Sequence, residues 1–420
     1  MDRNNRFTAI DLFAGAGGLT EGFITSGINF VAHIEKDRDC CETLRTRLFY
    51  HFLCENGEED FYYKYFRQEI SREEFTSRFS SEFERTGRRV LNIEIGRETK
   101  DFIFDHIDKL MKESGIKEID LIIGGPPCQS YSVVGRARNE WREDDPRNYL
   151  YIYYAEFLKK YRPRIFVFEN VPGILNVKNR EFFQNIKKCF QDAGYEMEYS
   201  ILNSADFMVL QNRKRVILIG WRKECGYNYP KFKPAKHEYR VKDILQDLPP
   251  LKAGQGEDRI PVEYAADASA YLRETGIRKE KDMVVHHRAR RLNSVDYERY
   301  RIAIEKYMEG KRIKYTEFPE HLQTQKNKKS FLDRFRVVDW NSCCSHTVVA
   351  HLSKDGHYYI HPDINQIRSI TVREAARLQS FPDNYLFEGA ISSQFRQVGN
   401  AVPPLMARTI ALKIKELLGK

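Results

Sequence analysis

Short apolar runs alternate with longer stretches of helical periodicity along the first half of this chain. Strands are predicted from the apolar runs within residues 7–23, 28–34, 119–123, 164–173 and 211–220. Helices are predicted between them, with clear stretches at residues 148–161 and 181–193. Because strands that alternate with helices form βαβ units, this pattern predicts a mainly parallel sheet with flanking helices. The first domain is therefore predicted to be an α/β domain that runs from the N-terminus to about residue 222.

The pattern changes between residues 223 and 389. Helical periodicity is strong at residues 292–309, whereas residues 346–362 carry two short apolar runs around the dipeptide Asp355-Gly356. Asp-Gly between two such runs is a strong signal for a β-hairpin. We therefore predict a second, smaller domain over residues 223–389 that contains a helix and a hairpin.

The first apolar run continues into a glycine-rich turn, and residues 7–23 read FTAIDLFAGAGGLTEGF. Gly15, Gly17 and Gly18 permit a tight turn, and the N–H groups at the start of the following helix can bind an acidic group. A dinucleotide-binding fingerprint has a third glycine where Thr20 stands here. A nicotinamide or flavin cofactor is therefore disfavoured.

Glu35 ends the second apolar run, twenty residues after Gly15. An acidic side chain at this spacing after a glycine-rich turn suits the pair of hydroxyl groups of a ribose. A turn of this kind is also common as a purely structural element. The two features together favour a cofactor that contains a nucleoside.

A cysteine follows the buried run 119–123 in the segment GGPPCQSYS, residues 124–132. Pro126 and Pro127 fix the backbone φ and remove two N–H donors, so this loop cannot relax into a helix. Cys128 is thereby presented at the end of a strand, as a nucleophile would be. A single cysteine is more often a small buried hydrophobic residue, and the neighbouring motifs decide between the two interpretations.

Two further motifs place charged side chains at strand ends. RIFVFENVPG, residues 164–173, ends a strand with Glu169, and the carboxyl ends of parallel strands face the ligand crevice in such folds. The structural alternative for Glu169 is a simple ion pair with an arginine. In QNRKRVILIG, residues 211–220, Arg213 and Arg215 are predicted to share one face because strand side chains alternate. The two arginines could bind a phosphate or the edge of a base.

The positive charge of the chain is concentrated in its middle. The net charge is +9 over 420 residues, and residues 222–340 contain 27 Lys and Arg against 19 Asp and Glu. The basic runs KFKPAKHEYR and QKNKKS, residues 231–240 and 325–330, are typical of a surface that faces nucleic acid. Ordinary solvated lysines are the alternative. Residues 46–98 contain 9 basic and 11 acidic residues, which argues against phosphate contacts there.

Cysteine usage and hydropathy exclude several classes of protein. The eight cysteines form no C-x-x-C pair, and the N-terminus carries no secretory segment, which argues against a zinc site and a disulfide framework. No apolar run reaches the roughly eighteen residues that a membrane-spanning helix requires. We therefore expect a cytoplasmic protein with no metal and no membrane partner.

Six blocks of the chain together resemble the DNA (cytosine-5)-methyltransferase family. They are DLFAGAGGLTEGF, GGPPCQSYS, ENVPG, QNRKR, TVREAARLQSFPD (residues 371–383) and QVGNAVPP (residues 397–404), in the order of the family. The resemblance implies a Rossmann-like, S-adenosylmethionine-dependent methyltransferase fold plus a smaller target-recognition domain. It further implies that residues 390–420, with a predicted helix over 405–418, return to the catalytic domain, and that residues 46–98 form an insert.

The resemblance also assigns roles to individual residues. Cys128 is the implied nucleophile, Glu169 is the acid that engages the cytosine ring, and Arg215 supports the base together with Arg213. The residues implied to surround S-adenosylmethionine are Asp11, Phe13, Gly15, Gly17, Gly18, Leu19, Glu35, Pro126, Asn400 and Val402. Glu94, in the segment LNIEIG, is the candidate for the acidic residue that the family places near the adenine.

The function implied by this resemblance is sequence-specific methylation of carbon 5 of a flipped-out cytosine in double-stranded DNA, through a covalent cysteine adduct. The setting would be a bacterial restriction–modification system, with the enzyme acting as a monomer and its restriction endonuclease forming no stable complex with it. Methylation of transfer RNA is an alternative, against which the long basic segment argues. A catalytically inactive DNA-binding protein is a second alternative, against which intact Cys128, Glu169 and Arg215 argue.

Overall fold

The computed structural model describes residues 7–127 and 146–420. Within these residues the strands are β1 Thr8–Leu12, β2 Asn29–Glu35, β3 Val90–Asn92, β4 Leu121–Gly124, β5 Ile165–Asn170, β6 Tyr195–Asn203 and β7 Lys214–Arg222. They form one sheet with the order β3-β2-β1-β4-β5-β7-β6. β7 runs antiparallel to both of its neighbours, and all other pairs are parallel. The predicted mainly parallel sheet is confirmed.

The described residues also form fourteen α-helices. They are α1 Gly18–Ile24, α2 Arg38–Glu55, α3 Glu59–Phe66, α4 Arg72–Ser77, α5 Ser80–Gly87, α6 Lys100–Glu113, α7 Leu150–Tyr161, α8 Glu181–Asp192, α9 Ala270–Thr275, α10 Ser294–Met308, α11 Lys328–Phe331, α12 Val372–Leu378, α13 Ile391–Asn400 and α14 Pro404–Leu418. The four helices predicted from sequence are α7, α8, α10 and α14.

Side-chain alternation along the strands separates two apolar layers. In β5, Phe166 and Phe168 pack with α6, α7 and α8 on one face, whereas Ile165 and Val167 pack with α1 and α14 on the other. Because successive side chains of a strand point to opposite faces, a strand buried on both faces is apolar throughout. The result is a sheet between two helical layers, the Rossmann-like architecture expected from the sequence.

The order of the strands fixes where a ligand can bind. Consecutive strands move outward from β1 through β2 to β3 on one side, and from β4 to β5 on the other. The crevice between β1 and β4 therefore opens at their carboxyl ends, which is where ligands bind in open α/β sheets. The loops that follow β1, β2, β4 and β5 all meet at this edge.

The C-terminal helix α14 packs on one face of this sheet. It packs directly on α1, and a Cβ atom added at Gly22 would stand 2.4 Å from the backbone nitrogen of Arg408. Real Cβ atoms do not approach backbone so closely, so the glycine is required by the contact between the helices. This contact brings the chain that precedes α14 beside the glycine-rich turn.

The predicted insert, residues 46–98, contains three helices that lie outside the sheet. Helix α2 runs through its first residues and β3 near its end belongs to the sheet, and α3, α4 and α5 lie between them. Their aromatic side chains form a separate cluster that also contains Val285 and Leu386. Tyr63 donates a hydrogen bond to Asp282 over 2.8 Å, and Tyr62 donates to the Asn384 carbonyl over 2.5 Å. These helices thus support two later segments of the chain.

The predicted hairpin at residues 346–362 is wrong. Ala350–Ser353 is a short 3-10 helix, and Ile360 forms isolated bridges with Val337 and Ser369. A two-residue type I′ turn requires positive φ at both central residues, and Gly356 is absent from the residues with positive φ. A Cβ atom at Gly356 would lie 2.1 Å from the Ser369 Cβ. Tertiary packing therefore overrides the Asp-Gly signal.

Helix α12 lies in a core shared by both predicted domains. All seven of its residues are buried, and its cluster includes Ala16 and Cys40 from the first domain as well as Phe395 and Val398 near the C-terminus. A second cluster, formed by residues within 300–367, is separate from it. The packing therefore continues across the boundary predicted at residue 389.

Candidate active site

The glycine-rich turn after β1 is the first wall of the crevice. Phe13, Gly15 and Gly17 all have positive φ, at 59°, 55° and 81°. A Cβ atom at Gly15 would meet nothing within 4 Å, whereas one at Gly17 would lie 2.7 Å from Leu44 Cδ2 and one at Gly18 would lie 2.4 Å from the Val402 carbonyl oxygen. Gly17 and Gly18 are thus packed from behind. Gly15 faces open space at the crevice.

Glu35, at the end of β2, is held by three backbone N–H groups. Gly15 N donates to Oε2 over 2.8 Å, and the backbone nitrogens of Lys36 and Asp37 donate to Oε1 over 2.8 Å each. Burial raises the pKa of the Glu35 carboxyl, and these hydrogen bonds act against that rise. The carboxylate is therefore fixed beside the open side of Gly15, where its remaining lone pairs suit hydroxyl donors.

Asp11 and Leu19 lie beneath the turn. Asp11 is 1% exposed, accepts a hydrogen bond from the Thr20 hydroxyl, and lies 3.8 Å from Nδ1 of His33. Leu19 belongs to the apolar layer under α1. Both side chains are directed into the protein, so they support the turn from below.

Glu94 and Asn400, two further residues predicted to contact the cofactor, are both exposed. Glu94 follows β3, is exposed, and forms an ion pair of 2.8 Å with Lys36. Asn92, which pairs with Glu35 across β2 and β3, donates a hydrogen bond to the Lys36 carbonyl over 2.8 Å. Asn400 is exposed at the end of α13. The structure thus brings Glu94 next to the strand end that carries Glu35.

Glu169 and Arg215 form an ion pair at the carboxyl end of β5. Arg215 Nε lies 2.6 Å from Glu169 Oε1. The Glu169 side chain is 14% exposed and the Arg215 side chain is 12% exposed. A Cβ atom at Gly125 would lie 2.6 Å from Glu169 Oε2. The carboxylate therefore lies directly against the backbone of the loop that follows β4. The small exposed fraction leaves one side of the pair open to a ligand.

The loop after β4 is anchored to the end of β5. Asn170 donates a hydrogen bond from Nδ2 to the Pro126 carbonyl over 3.2 Å, and Pro126 itself is buried. Cys128, the predicted nucleophile, lies outside the described residues. The last described residue before it, Pro127, is two positions along the chain from Gly125, whose backbone lies against the Glu169 carboxylate. Asn170 belongs to the ENVPG block, yet no local signal in the sequence pointed to this anchoring role.

Arg213 is placed differently from the sequence prediction. Its side chain is 1% exposed, and it donates hydrogen bonds to the Val348 carbonyl over 2.6 Å and to the Gly399 carbonyl over 3.0 Å. β7 begins at Lys214, after Arg213, so the period-two argument does not apply at this position. Arg213 therefore connects the start of β7 to the backbone at Val348 and at Gly399. Arg215, in contrast, contacts Glu169.

The basic runs predicted from sequence are on the surface. Lys231, Lys233 and Lys236 are exposed in the segment after β7, and Lys326, Lys328 and Lys329 are exposed around α11. Other basic residues of the same region serve the interior, since Arg278 pairs with Asp247 at 2.7 Å and Arg299 pairs with Asp296 at 2.8 Å. Some basic residues of this region therefore form ion pairs within the protein, and others are exposed on its surface.

Metal clusters and membrane-spanning helices are both absent from the described part of the chain. Residues 7–127 and 146–420 contain no group of three or more His, Cys, Asp or Glu side chains arranged to hold a metal ion. None of the helices within the same residues combines the length and the apolar character that a membrane crossing requires.

Comparisons with known proteins agree with this architecture. The family described as C-5 cytosine-specific DNA methylase matches residues 7–57 and 62–416. The chain is 44% identical to the Type II methyltransferase M.Bpa9945I of Bacillus paralicheniformis, over 97% of this chain and 98% of that protein. It is 30% identical to the Type II methyltransferase M.DdeI of Desulfomicrobium norvegicum, over 96% of this chain and 88% of that protein.

Solved structures show the same fold at lower identity. A chain from E. coli described as a DNA modification methyltransferase encoded within a prophage matches with a TM-score of 0.64 and 23% identity, over 99% of this chain and 100% of that chain. DNMT2 of Spodoptera frugiperda matches with a TM-score of 0.53 and 15% identity, over 99% and 100%. At these identities, the similarities show the fold alone.

The different surroundings of the two arginines predict different effects on stability. Replacing Arg213 with methionine should lower the free energy of unfolding by at least about 2 kcal/mol, because two buried carbonyl groups lose their donors. Replacing Arg215 with methionine should cost less than half as much, since Glu169 keeps access to solvent. Urea denaturation of both variants measures the difference. Equal losses would show that Arg213 is not the structural member of the pair.

Proposed function

The chain belongs to the C-5 cytosine-specific DNA methylase family and is a DNA (cytosine-5)-methyltransferase, and on this premise we propose how its residues divide the reaction. The observation that carries the proposal is the position of the Glu169 carboxylate, which lies against Gly125 and pairs with Arg215. Three motifs that are distant in sequence thereby meet at one edge of the sheet. The loop that begins at Gly125 leads to Cys128.

The proposed reaction begins with the addition of the Cys128 thiolate to carbon 6 of cytosine. Glu169 in its acid form donates a proton to ring nitrogen 3, which neutralises the charge that addition places on the ring. Carbon 5 then has enamine character and takes the methyl group, and the donor leaves as the neutral thioether S-adenosylhomocysteine. A base removes the proton from carbon 5, ring nitrogen 3 returns its proton to Glu169, and the bond between carbon 6 and sulfur breaks, which restores the aromatic ring and the thiolate.

Arg215 is proposed to orient both the carboxyl group and the base. Its Nε already contacts Glu169, and its other guanidinium nitrogens can donate to an oxygen acceptor of the ring. The target cytosine cannot reach this site while it is stacked in a duplex, so it must be flipped out at a cost of a few kcal/mol. Arg213 is proposed as a positioning residue only.

The glycine-rich turn and Glu35 are proposed to hold S-adenosylmethionine, the methyl donor of this family. The group supplies a methyl carbon made electrophilic by its positive sulfur. Phe13 and Gly15 would line its site, Glu35 would accept from its ribose hydroxyls, and Pro126 and Asn400 would bound it on the opposite side. The open space at Gly15 beside an anchored carboxylate fits a nucleoside.

The remaining residues of the predicted cofactor set are proposed to support the cofactor site without contacting the cofactor themselves. Asp11, Leu19, Gly17 and Gly18 shape the turn, and the Val402 backbone closes it from behind. Glu94 would lie toward the adenine end through its pair with Lys36. The reaction needs no metal, because the sulfonium group is itself an activated methyl donor.

Sequence recognition is proposed to reside in residues 223–389, and the catalytic domain in residues 1–222 and 390–420. The exposed lysine runs at 231–240 and 325–330 lie in the proposed recognition region. The proposed catalytic and cofactor residues all lie outside it. The recognition region also packs on the catalytic core through α12, so the two parts would move little relative to one another.

The biological setting is proposed to be restriction–modification. The relatives named Type II methyltransferases support this role, since they match nearly the full length of the chain. The protein would act as a monomer on chromosomal DNA in the cytoplasm, and its endonuclease would read the same site without a stable complex. Transfer RNA is not favoured, because the family match is to DNA methylases and the DNMT2 likeness shows the fold alone.

Replacing the nucleophile should separate chemistry from cofactor binding. Cys128→Ser should reduce methyl transfer at least about a hundredfold, since a hydroxyl is far less nucleophilic than a thiolate at neutral pH. Glu169→Gln should reduce it at least about a hundredfold because the amide cannot donate the proton. Tritiated methyl incorporation into duplex DNA measures turnover, and calorimetry with S-adenosylhomocysteine measures binding, which should be nearly unchanged.

Matched controls for these two variants are Cys189→Ser, on α8, and Glu198→Gln, on the edge strand β6. Both side chains lie away from the carboxyl ends of β1, β4 and β5, so both variants should retain the parental rate. Substantial turnover by Cys128→Ser would remove that residue from the nucleophile role. Loss of folding by Glu169→Gln, seen by circular dichroism, would make its carboxylate a structural group.

The exposed lysines should determine the salt dependence of DNA binding. Replacing Lys326, Lys328 and Lys329 together with glutamine should reduce the slope of log K against log salt by about 0.9 for each phosphate group that is no longer neutralised. Replacing Lys109 and Lys112, which are exposed on α6, should leave the slope unchanged. Fluorescence anisotropy at several salt concentrations measures both slopes. An unchanged slope in the triple variant would place the phosphate-binding side chains elsewhere.

A further inference from the structure

Two buried glutamines join the parts of the molecule that the reaction uses. On the basis of the proposed function, we propose that Gln379 is a positioning residue that couples cofactor binding to DNA binding. It acts with Gln211 between the C-terminal turn, residues 398–402, and the segment 348–350 of the proposed recognition region. Neither glutamine was assigned a role from the sequence, although Gln211 opens the QNRKR block and Gln379 belongs to TVREAARLQSFPD.

Both polar atoms of the Gln211 side-chain amide form hydrogen bonds inside the protein. Its side chain is fully buried, its Oε1 accepts from Val348 N over 2.9 Å, and its Nε2 donates to the Leu378 carbonyl over 2.9 Å. The same Nε2 donates to Gln379 Oε1 over 3.1 Å. Gln211 lies four residues before Arg215. The strand that carries the base-orienting arginine is therefore tied to segment 348–350 and to the end of α12.

Gln379 continues this chain of hydrogen bonds to the C-terminal turn. It is fully buried, and its Nε2 donates to the Val398 carbonyl over 2.7 Å and to the Ala401 carbonyl over 3.4 Å. The turn then reaches the cofactor side, because the Val402 carbonyl lies against Gly18. The two amides thus form a continuous bridge from Val348 to the glycine-rich turn.

Arg213 makes a second connection between segment 348–350 and the C-terminal turn. It donates to the Val348 carbonyl and to the Gly399 carbonyl, so both backbone groups of Val348 are bound by side chains of the QNRKR block. A Cβ atom at Gly399 would lie 2.3 Å from Ala350 N. Segment 348–350 and the C-terminal turn are therefore in direct contact and share their hydrogen-bond partners.

Through this arrangement, a ligand that restricts motion at the glycine-rich turn also restricts motion at segment 348–350. A ligand that fixes the glycine-rich turn also fixes the C-terminal turn that packs on it, and the bridge transmits this to segment 348–350. Burial excludes water that could replace the amide hydrogen bonds, so the bridge has no solvent-filled alternative. Coupling between two sites is reciprocal, and DNA should strengthen cofactor binding by the same factor.

The test is a thermodynamic cycle on the full chain. The affinity for a substrate duplex is measured with and without S-adenosylhomocysteine, and the affinity for S-adenosylhomocysteine is measured with and without the duplex. In the parent protein each ligand should tighten the other by at least about fivefold, within the usual range of such coupling. In Gln379→Met the factor should fall close to one, because the apolar side chain cannot bind the carbonyls of the C-terminal turn.

Gln397→Met is the matched control. Gln397 is 3% exposed on α13, accepts from the Thr43 hydroxyl over 2.7 Å and donates to the Glu388 carbonyl over 2.8 Å. Its loss removes a buried amide of the same kind without breaking the bridge, so this variant should keep the parental coupling factor. A merely structural role for Gln379 predicts that the two variants behave alike.

The outcomes are distinguishable. If the parent binds neither S-adenosylhomocysteine nor the duplex, the proposed function itself fails. If the parent binds both ligands without mutual effect, or if Gln379→Met keeps the parental factor, the function stands and the coupling role of Gln379 is overturned. Should Gln379→Met fail to fold, hydrogen exchange in the parent decides. S-adenosylhomocysteine should slow exchange of the Val348 amide, and unchanged exchange overturns the proposal.

Discussion

Helix α12 is buried on every side, so the charged side chains of its sequence require partners inside the protein. Arg377 pairs with Asp383 at 2.6 Å and also contacts Asp247, and Arg368 pairs with Glu374 at 2.7 Å. Arg368 holds the pKa of the Glu374 carboxyl well below its usual range. Removal of one partner from a buried pair typically costs about 3–5 kcal/mol. The segments that supply these partners are therefore fixed around the helix.

The geometry of the candidate site follows from this fixed centre and from the order of the strands. The sheet brings the loops after β1, β2, β4 and β5 to one edge, where Glu35 and Glu169 stand on opposite sides of the crevice. The end of α12 positions Gln379 between the strand that carries Arg215 and the C-terminal turn. The proposed recognition, cofactor and catalytic elements thus contact one another through a few buried polar groups.

Most of the sheet and the position of Glu169 were predictable from the sequence, because local signals and tertiary packing agree there. The run that ends in Glu169 is apolar on both faces, as a central parallel strand must be. Arg213 was predicted on the face of Arg215, but β7 begins one residue after it and its carbonyl partners lie far away in sequence. The Asp355-Gly356 hairpin failed because the conformation of Gly356 is set by packing on Ser369. Such long-range contacts leave no local signal.

Covalent capture tests directly whether catalysis proceeds by addition of Cys128 to a cytosine positioned by Glu169 and Arg215. In a duplex with 5-fluorocytosine in place of cytosine, the base cannot remove a proton from carbon 5, so the adduct persists after methyl transfer. We expect a protein–DNA complex that survives denaturing electrophoresis, forms only with S-adenosylmethionine, and carries the DNA on Cys128 by peptide mass spectrometry. Methylation of the normal duplex without such a complex, or attachment to another residue, would contradict this mechanism.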